Sequence, residues 1–192
     1  MGVGNPLSSQ GFAIIQEIPA QISNPMLKHD DIISLIDTMA VALRKRDGID
    51  DSLIVGIHSG GAGIAQQLHQ RLENPHPIGM LDISFYRDDF TRIGLNPQVK
   101  SSDLPESIEG RDIILVDDVL YTGRTIRAAM NELFDYGRPH SISLAVLLDR
   151  EGRQLPIQPD VCGMNIHLAL HQQVKLSFRD DRFALNAVNL ES

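Results

Sequence analysis

The sequence predicts a single-domain α/β protein, built on a mostly parallel twisted sheet with helices on both faces. The main observation is that short apolar runs of buried-strand type alternate along the chain with amphipathic helical segments. Such continuously apolar runs are typical of parallel strands covered on both faces. A chain of 192 residues with 42 % hydrophobic content is also long enough for one sizeable core.

The elements of the first half follow in order. Residues 1–25 are rich in Gly, Pro, Ser and Asn, and we interpret them as an extended or mobile segment before a domain of residues 26–192. The stretch HDDIISLIDTMAVALRKRDG predicts an amphipathic helix, because its apolar residues recur at helical spacing and Gly48 supplies a stop. SLIVGI predicts a first strand at 52–57, and a second helix follows the HSGGAG turn.

The second half continues the alternation. We expect strands at 78–85, 113–116 and 142–148, a helix at 125–136 capped by Gly137, and an alternating run at 174–178. The stretch 91–110 has no clear period, and a structureless segment of that length is usually functional or disordered.

Composition excludes several classes of protein. Seventeen Lys and Arg against 25 Asp and Glu give a formal net charge of -8, which argues against general nucleic-acid affinity but leaves a local basic face open. The single cysteine, Cys162, cannot form an intramolecular disulfide, and we expect it to be a packed side chain. Without a signal-like N-terminus or a long apolar span, the sequence predicts a soluble cytoplasmic protein with no membrane partner.

The stretch DIILVDDVLYTGRT concentrates the chemistry. Asp117 and Asp118 follow an apolar strand, and ligands of open α/β sheets bind beyond the carboxyl ends of the strands. Two adjacent carboxylates raise each other's pKa unless a cation or hydroxyl donors offset the repulsion. A polyol, a Mg²⁺ ion or both would do so.

The helix start that follows the acid pair predicts an anion site. Thr122, Gly123 and Thr125 supply hydroxyl and backbone N–H donors in a tight turn, as phosphate-binding helix starts do. Arg124 at a helix N-terminus is unfavourable unless a negative group is bound there. The Walker pattern GxxxxGK[ST] is missing from the sequence, which argues against a nucleoside triphosphatase. The expected ligand is a phosphorylated ribose.

VDDVLYTGRT resembles the phosphoribosyl-pyrophosphate (PRPP) motif of type I phosphoribosyltransferases. The similarity runs from about residue 31 to the C-terminus, and DISFYRDDF and LPIQPDVCGMNI resemble the family of bifunctional pyr operon regulators and uracil phosphoribosyltransferases. The resemblance implies the type I phosphoribosyltransferase fold with a long flexible lid loop and a small hood. It also implies the conversion of uracil and PRPP to UMP and pyrophosphate with Mg²⁺, and a homo-oligomer that binds pyr leader mRNA in a UMP-dependent way.

The resemblance implies a role for each part of the site. Asp117 and Asp118 would be catalytic, bind the ribose hydroxyls and hold the metal. The remaining assignments are PRPP binding through Tyr121, Thr122, Gly123, Arg124 and Thr125; a pyrophosphate loop of His58, Ser59, Gly60 and Gly61; a lid of Tyr86, Arg87, Asp88 and Asp89; and base binding by Asp160 and Val161.

Two departures from the family pattern keep alternatives open. The pyrophosphate loop is HSGG rather than a basic stretch, and Glu151 interrupts the arginines of LLDREGRQLP. An RNA-binding attenuator with weak catalysis and a phosphoribosyltransferase for another base are therefore alternative hypotheses. His167 and His171 have the spacing of metal ligands on a helix, but we expect them to be surface residues. RNA binding would require several basic residues to share one face: Arg44, Lys45, Arg46, Arg71, Arg138 and Arg153.

Overall fold

The computed structural model describes residues 13–14, 27–83, 102–104, 107–169 and 171–189. Its main sheet has six strands in the order β1-β6-β5-β4-β2-β3, and all neighbours are parallel. This confirms the predicted fold class. The strands are β1 (Ala13–Ile14), β2 (Leu53–Ile57), β3 (Gly79–Leu81), β4 (Asp112–Leu120), β5 (Ser141–Arg150) and β6 (Val161–Ile166).

Among the described residues, three α-helices cover the two faces of the sheet. Helices α1 (His29–Leu43) and α2 (Gly60–Leu72) pack on one face, and α3 (Arg124–Tyr136) packs on the other. The interior is apolar on both sides, as parallel strands require. Helix α1 begins where the sequence predicts, because the Asp31 carboxylate accepts a hydrogen bond of 2.9 Å from the backbone N–H of Lys28.

Strand β4 is longer than predicted, and this changes the setting of the acid pair. The apolar run 113–116 predicts a strand that ends before the aspartates, whereas β4 continues to Leu120. The ladder to β5 continues through Asp117↔Val146 and Val119↔Leu148. The hydrogen bonds of this ladder join backbone groups and do not depend on the polarity of the side chains. The prediction ended the strand too early because it took the first polar residues as the end of the strand.

A C-terminal hairpin, β7 (Gln172–Arg179) and β8 (Arg182–Asn189), lies against α1 and α2. The alternation at 174–178 predicts part of β7, but β8 was not predicted. The two strands are joined by a two-residue turn within RDDR, in which Asp180 and Asp181 adopt left-handed backbone angles of φ 50° and 57°. Phe178 and Phe183 face each other across the hairpin with ring centroids 4.4 Å apart, and both rings lie against Gly63 of α2.

The long aperiodic stretch is ordered where it returns to the sheet. Asp103 exchanges two backbone hydrogen bonds of 2.8 Å with Met80 in β3. The Ser102 hydroxyl donates to Glu132 in α3 and accepts from the backbone N–H of Asp82. Residues 102–104 of this stretch thus lie beside β3, the strand that precedes the stretch in the chain. The predicted lid residues Tyr86, Arg87, Asp88 and Asp89 lie outside the described residues.

Candidate active site

A pocket of about 280 Å³ opens at the carboxyl ends of β2, β4 and β5, with β7 as its outer wall. Sheet topology accounts for its position, because the loops after parallel strands gather at one edge. It brings together the acid pair, part of the helix start after β4 and part of the loop after β2. Its lining consists of His58, Ser59, Gly60, Asp117, Asp118, Val119, Tyr121, Thr125, Arg150, Gln173 and Val174.

The two aspartates both line the pocket although they are adjacent in a strand. The Asp117 side chain belongs to a residue only 4 % exposed, and its Oδ1 accepts from the backbone N–H of Asp118 at 2.9 Å. Oδ1 of Asp118 accepts from the backbone N–H of Val119 at 3.0 Å. These backbone donors offset part of the repulsion between the carboxylates. Both carboxylates line the pocket, where a polyol or a cation would meet them.

The glycines of HSGG allow α2 to begin directly against β4. A Cβ added at Gly60 would lie 2.0 Å from Oδ2 of Asp118, and one at Gly61 would lie 2.4 Å from the carbonyl oxygen of Val116. The N-terminus of α2 therefore faces the Asp118 carboxylate, and the partial positive charge of a helix N-terminus favours a negative group there. His58 is held to the neighbouring strand by its backbone N–H, which donates to Leu81 at 2.8 Å.

The turn after β4 is built as a rigid support for the start of α3. Gly123 has a left-handed φ of 89°, and the Thr122 hydroxyl accepts from the backbone N–H of Arg124 at 3.3 Å. The Thr122 carbonyl accepts from the backbone N–H groups of Gln154 and Leu155 at 3.0 and 3.1 Å. Five residues around this turn are predicted to bind PRPP in addition to the acid pair. Of these five, Tyr121 and Thr125 line the pocket.

Arg124 is not among the residues that line the pocket, and its role in PRPP binding stays a prediction. Its Nε donates to the side chain of Gln154 at 2.9 Å, and the residue is exposed. The Pro-rich passage that contains Gln154 therefore braces the turn. The helix start offers Thr125 and backbone N–H groups to an anion rather than a buried guanidinium.

Arg150 is a pocket residue to which the sequence assigned no role. It is only 5 % exposed, and its guanidinium lies 4.1 Å from the centroid of the Tyr121 ring. Its Nη2 donates to the carbonyl of Ala169 at 3.3 Å. The signal available in the sequence was its position at the carboxyl end of β5. Gln173 and Val174 gave no comparable signal, since they reach the pocket only through the packing of the hairpin.

Neighbouring Arg153 has a supporting role. It forms a salt bridge with Asp149, four residues earlier in the chain, and donates a hydrogen bond to the backbone carbonyl of Tyr121. Together with Arg150 it fixes Tyr121 from both its ring and its backbone.

The residues predicted to bind the base do not line this pocket. Asp160 precedes β6, accepts from the backbone N–H of Leu144 at 2.8 Å and pairs with Arg46 at 3.1 Å. Val161 is 2 % exposed within the apolar core. Both lie at the start of β6, and their side chains are engaged in anchoring that strand rather than in forming a wall of the pocket. The prediction that Val161 and the neighbouring backbone after Asp160 face the base concerns main-chain groups, and it stays a prediction.

The remaining candidate residues are accounted for locally. Cys162 is buried, and burial raises the pKa of its thiol to about 11, with a further contribution from the Asp149 charge. His167 is paired with Glu151 at 3.1 Å on the surface, and His171 is also exposed. Within the part of the chain that the structure describes, no group of three or more His, Cys, Asp or Glu is placed to hold a metal ion without other ligands.

Comparison with known proteins decides the family. The model of the phosphoribosyl transferase domain matches residues 24–179. The chain belongs to the phosphoribosyltransferase family. "Bifunctional protein PyrR" of Pseudomonas putida (strain W619) is 53 % identical over 74 % of this chain and 85 % of its own. The protein of the same name from Nitrosococcus oceani is 52 % identical over 78 % of this chain and 88 % of its own. The resemblance stated from the motifs is confirmed.

Solved structures support the fold. The hypoxanthine phosphoribosyltransferase of Trypanosoma cruzi has a TM-score of 0.61 and 21 % identity, and the similarity covers 88 % of this chain and 98 % of that one. A hypoxanthine-guanine phosphoribosyltransferase from Bacillus anthracis also has a TM-score of 0.61, with 19 % identity over 77 % of this chain and 86 % of that one. None of the described helices is long and apolar enough to cross a membrane.

Proposed function

We propose that the protein transfers the 5-phosphoribosyl group of PRPP to uracil, which yields UMP and pyrophosphate. The observation that supports this proposal is that one pocket combines three features. These are the acid pair, the N-terminus of α3, which has the residues of a phosphate-binding helix start, and the glycine-rich N-terminus of α2. The name of the relatives that are more than half identical supports uracil as the acceptor.

The acid pair would act on the sugar. In the transfer, the bond between C1′ and the diphosphate oxygen breaks with its electron pair leaving on pyrophosphate. The new bond forms between C1′ and N1 of uracil, whose proton is released to the solvent. Positive charge develops on the ribose ring in between, and the carboxylates of Asp117 and Asp118 would stabilise it while accepting hydrogen bonds from the ribose hydroxyls.

The two helix starts would hold the two phosphate ends of PRPP. Thr125 and the first N–H groups of α3 would bind the 5′-phosphate, with Tyr121, Thr122, Gly123 and Arg124 as its supporting turn. The loop of His58, Ser59, Gly60 and Gly61 would bind the diphosphate through the N-terminus of α2. The lid role of Tyr86, Arg87, Asp88 and Asp89, closing over PRPP, belongs to the same proposal.

The residues present fit a Mg²⁺ ion that arrives with the substrate. Mg²⁺ is usually bound by one or two carboxylates together with substrate phosphates and water, and Asp117 and Asp118 offer such carboxylates in the pocket. When bound, the ion neutralises charge on the diphosphate as it leaves. This matters here because the diphosphate loop is HSGG, without a Lys or Arg, and faces the Asp118 carboxylate.

A base-competition assay tests the proposal. Purified protein with PRPP and Mg²⁺ is given labelled uracil, hypoxanthine or orotate, and the nucleotide formed is measured. We expect UMP to form at least about a hundred-fold faster than the other two nucleotides, since a polar site rejects a base that leaves its groups unpaired. Product from hypoxanthine or orotate alone would instead assign the protein to another base.

A second function, UMP-dependent binding of pyr leader mRNA, is supported by the word "bifunctional" in the name of the relatives. The basic residues do not form one face. Arg44 donates to the backbone carbonyl of Arg71, and Arg46 pairs with Asp160 near the amino ends of the strands. Arg153 lies beside Tyr121 at the opposite edge. The candidates for phosphate contacts are therefore the basic residues on the amino-end side, namely Arg44, Lys45, Arg46 and Arg71.

A gel shift with the leader RNA at low salt tests this second function. We expect UMP to strengthen binding, and exchanging Lys45 for Gln to weaken it and to reduce its salt dependence. Failure of the RNA to bind even at low salt would exclude the regulatory role, because phosphate contacts are strongest there. We further propose that the protein is a homo-oligomer, a dimer or larger, which sedimentation of the same preparation would measure.

A further inference from the structure

His29, the first residue of α1, accepts a hydrogen bond from the C-terminal hairpin. The backbone N–H of Phe183 in β8 donates to the ring nitrogen Nδ1 of His29 at 3.1 Å, and the two rings stack with centroids 6.1 Å apart. Because the donor is a backbone N–H, Nδ1 must be the acceptor and carries no proton. The His29 ring is therefore neutral in this contact, with its proton on Nε2.

The geometry of the hairpin leaves the Phe183 N–H to be bound from outside. Strands β7 and β8 are joined by a two-residue turn, and Arg179↔Arg182 is the pair beside that turn. Pairs of an antiparallel ladder alternate between hydrogen-bonded and non-hydrogen-bonded, so the next pair, Phe178↔Phe183, directs its N–H groups outward. Phe183 is only 2 % exposed, and a buried N–H without an acceptor costs about as much free energy as a lost hydrogen bond. The acceptor that His29 supplies is therefore one that solvent cannot readily replace.

The same edge of β8 is tied to the chain just before α1. Two residues beyond Phe183, Leu185 exchanges backbone hydrogen bonds of 3.1 and 3.5 Å with Leu27. Leu27 and His29 thus hold alternate residues of one strand edge, as a third strand would. The Phe183 ring also lies against Gly63 of α2. The hairpin is therefore held between α1 and α2.

The hairpin held in this way is the outer wall of the pocket. Gln173 and Val174 of β7 line the pocket, and their partners in the ladder are Val188 and Ala187 of β8. A shift of β8 would therefore move the two pocket residues with it. His29 itself is not among the residues that line the pocket, so it would act through the hairpin rather than on a ligand.

We propose that neutral His29 is a positioning residue, which holds the hairpin wall of the pocket in the geometry that binds the substrate. Histidine takes up a proton between about pH 5 and 8, and a protonated ring has donors at both nitrogens. Protonation turns the Nδ1 acceptor into a second donor that faces the Phe183 N–H. The positioning is thus complete at the alkaline end of this range and is lost as the pH falls through it. The effect on activity rests on the proposed function, whereas the effect on the hairpin does not.

The charged residues that adjoin His29 and Phe183 in the chain are all exposed. They are Lys28, Asp30 and Asp31 on the α1 side, and Arg179, Asp180, Asp181 and Arg182 at the end of the hairpin. Helix α2 faces Phe183 with Gly63, which is uncharged. Solvent and salt screen exposed charges, so the pH dependence of this contact should come from His29 itself.

Two substitutions separate the hydrogen bond from the ring. His29→Phe keeps an aromatic ring to stack on Phe183 but has no acceptor. His29→Asn has a side-chain oxygen at about the position of Nδ1, and this acceptor does not titrate. His140→Asn is the matched control, because His140 is exposed and pairs with Asp112 at the opposite end of the sheet. Thermal melting of each variant checks that it is folded.

Two quantities are measured for each protein at about pH 5.5 and about pH 8, on either side of the usual histidine range. They are the protection of the hairpin, residues 172–189, against hydrogen exchange, and kcat/KM for UMP formation. A second histidine, His58, lines the pocket of every variant, so each kcat/KM is compared with that of His29→Asn at the same pH.

We expect the wild type to match His29→Asn within about two-fold at the higher pH and to fall about five- to ten-fold below it at the lower pH. His29→Phe should lie about five- to ten-fold below His29→Asn at both pH values. Hairpin protection should follow the same order, and His140→Asn should follow the wild type in both measurements.

The same pH dependence in the wild type and His29→Asn would overturn the proposal, as would wild-type hairpin protection in His29→Phe at the higher pH. The comparison of the wild type with His29→Asn stands even if His29→Phe folds poorly. A wild type that forms no UMP at either pH would instead contradict the proposed function, and hairpin protection would still decide the role of His29.

Discussion

Thr125 is the side chain that connects the start of α3 to the pocket. It lines the pocket, whereas the three residues before it form the supporting turn. A hydroxyl donating to a phosphate is a charge-assisted hydrogen bond, which is about twice as strong as a neutral one. Its removal should therefore affect the binding of PRPP more than the chemical step.

We expect Thr125→Val to raise the KM for PRPP by about ten-fold, with a smaller change in kcat. Steady-state kinetics at varied PRPP measure both constants. The matched control is Thr38→Val on α1, whose hydroxyl donates to the backbone carbonyl of Ser34 at 2.8 Å outside the pocket. Equal effects of the two substitutions on KM would show that Thr125 does not contact the phosphate.

Cys162 makes a pH-dependent prediction. Its pKa is raised to about 11 by burial, so the thiolate at about pH 8 is roughly a hundred-fold scarcer than in an ordinary cysteine. We expect iodoacetamide to alkylate the native protein far more slowly than the urea-unfolded chain, with a rate that still rises above about pH 9. A native rate that reaches its plateau near pH 9 would contradict the burial of this thiol.

The same shift affects stability at high pH. In the unfolded chain the thiol ionises near its ordinary value of 9.0, whereas the fold opposes ionisation up to about 11. Its contribution to the free energy of unfolding is thus complete below the unfolded pKa and is lost as the pH rises from about 9 toward 11. Urea titrations across this range measure the loss, and Cys162→Ala serves as the control in which this component disappears.

Some of these residues were predictable from the sequence and others were not. Asp117, Asp118 and Thr125 stand in one contiguous motif that joins the end of β4 to the start of α3, so local order alone places them at the sheet edge. Gln173 reaches the same pocket from a hairpin nearly fifty residues later along the chain, and only tertiary packing brings it there.

The first turn of α2 packs directly against β4, and this junction between the two elements sets the geometry of the acid pair. Gly60 and Gly61 are consecutive in the first turn of α2, yet they approach different parts of β4. Gly60 faces the Asp118 carboxylate, and Gly61 faces the backbone at Val116. Substitution of Gly60 should therefore affect the Asp118 side chain, whereas substitution of Gly61 should affect the packing of the β4 backbone.

We expect Gly60→Ala to reduce kcat strongly with little loss of stability, because its Cβ displaces the Asp118 side chain. Gly61→Ala should instead lower the free energy of unfolding by about 1–3 kcal/mol, because its Cβ presses on the β4 backbone. Urea unfolding and UMP formation are measured for both. The reverse pattern, with Gly60→Ala unstable and Gly61→Ala inactive but stable, would contradict this description of the junction.

At the level of elements, the predictable parts were those with a local periodic signal. The apolar runs marked β2, β4 and β5, and helical spacing marked the three helices. The end of β4 was misplaced because its last residues are polar and only the ladder to β5 reveals them as strand. Strand β8 was missed because its turn, RDDR, lacks the glycine that usually signals a two-residue hairpin.

The proposed function requires an acidic protein to bind an anionic ligand. The formal net charge is -8, and the pocket contains two carboxylates. Under the proposed function, binding of PRPP would therefore depend on local donors and on an accompanying metal ion rather than on the protein's overall electrostatic field. The parallel topology makes this possible, since it gathers two helix N-termini and the end of β5 around the acid pair.

The central claim is that the acid pair in this pocket transfers a phosphoribosyl group to uracil. The most direct measurement is UMP and pyrophosphate formation from PRPP, Mg²⁺ and uracil by the wild type and by Asp118→Asn, with Asp112→Asn at the opposite end of β4 as control. We predict equimolar products from the wild type and the control. Asp118→Asn should lower kcat by about 10²–10³-fold, because the charge that stabilises the transition state is lost. No UMP from the wild type, or an Asp118→Asn rate within about two-fold of it, would contradict the account.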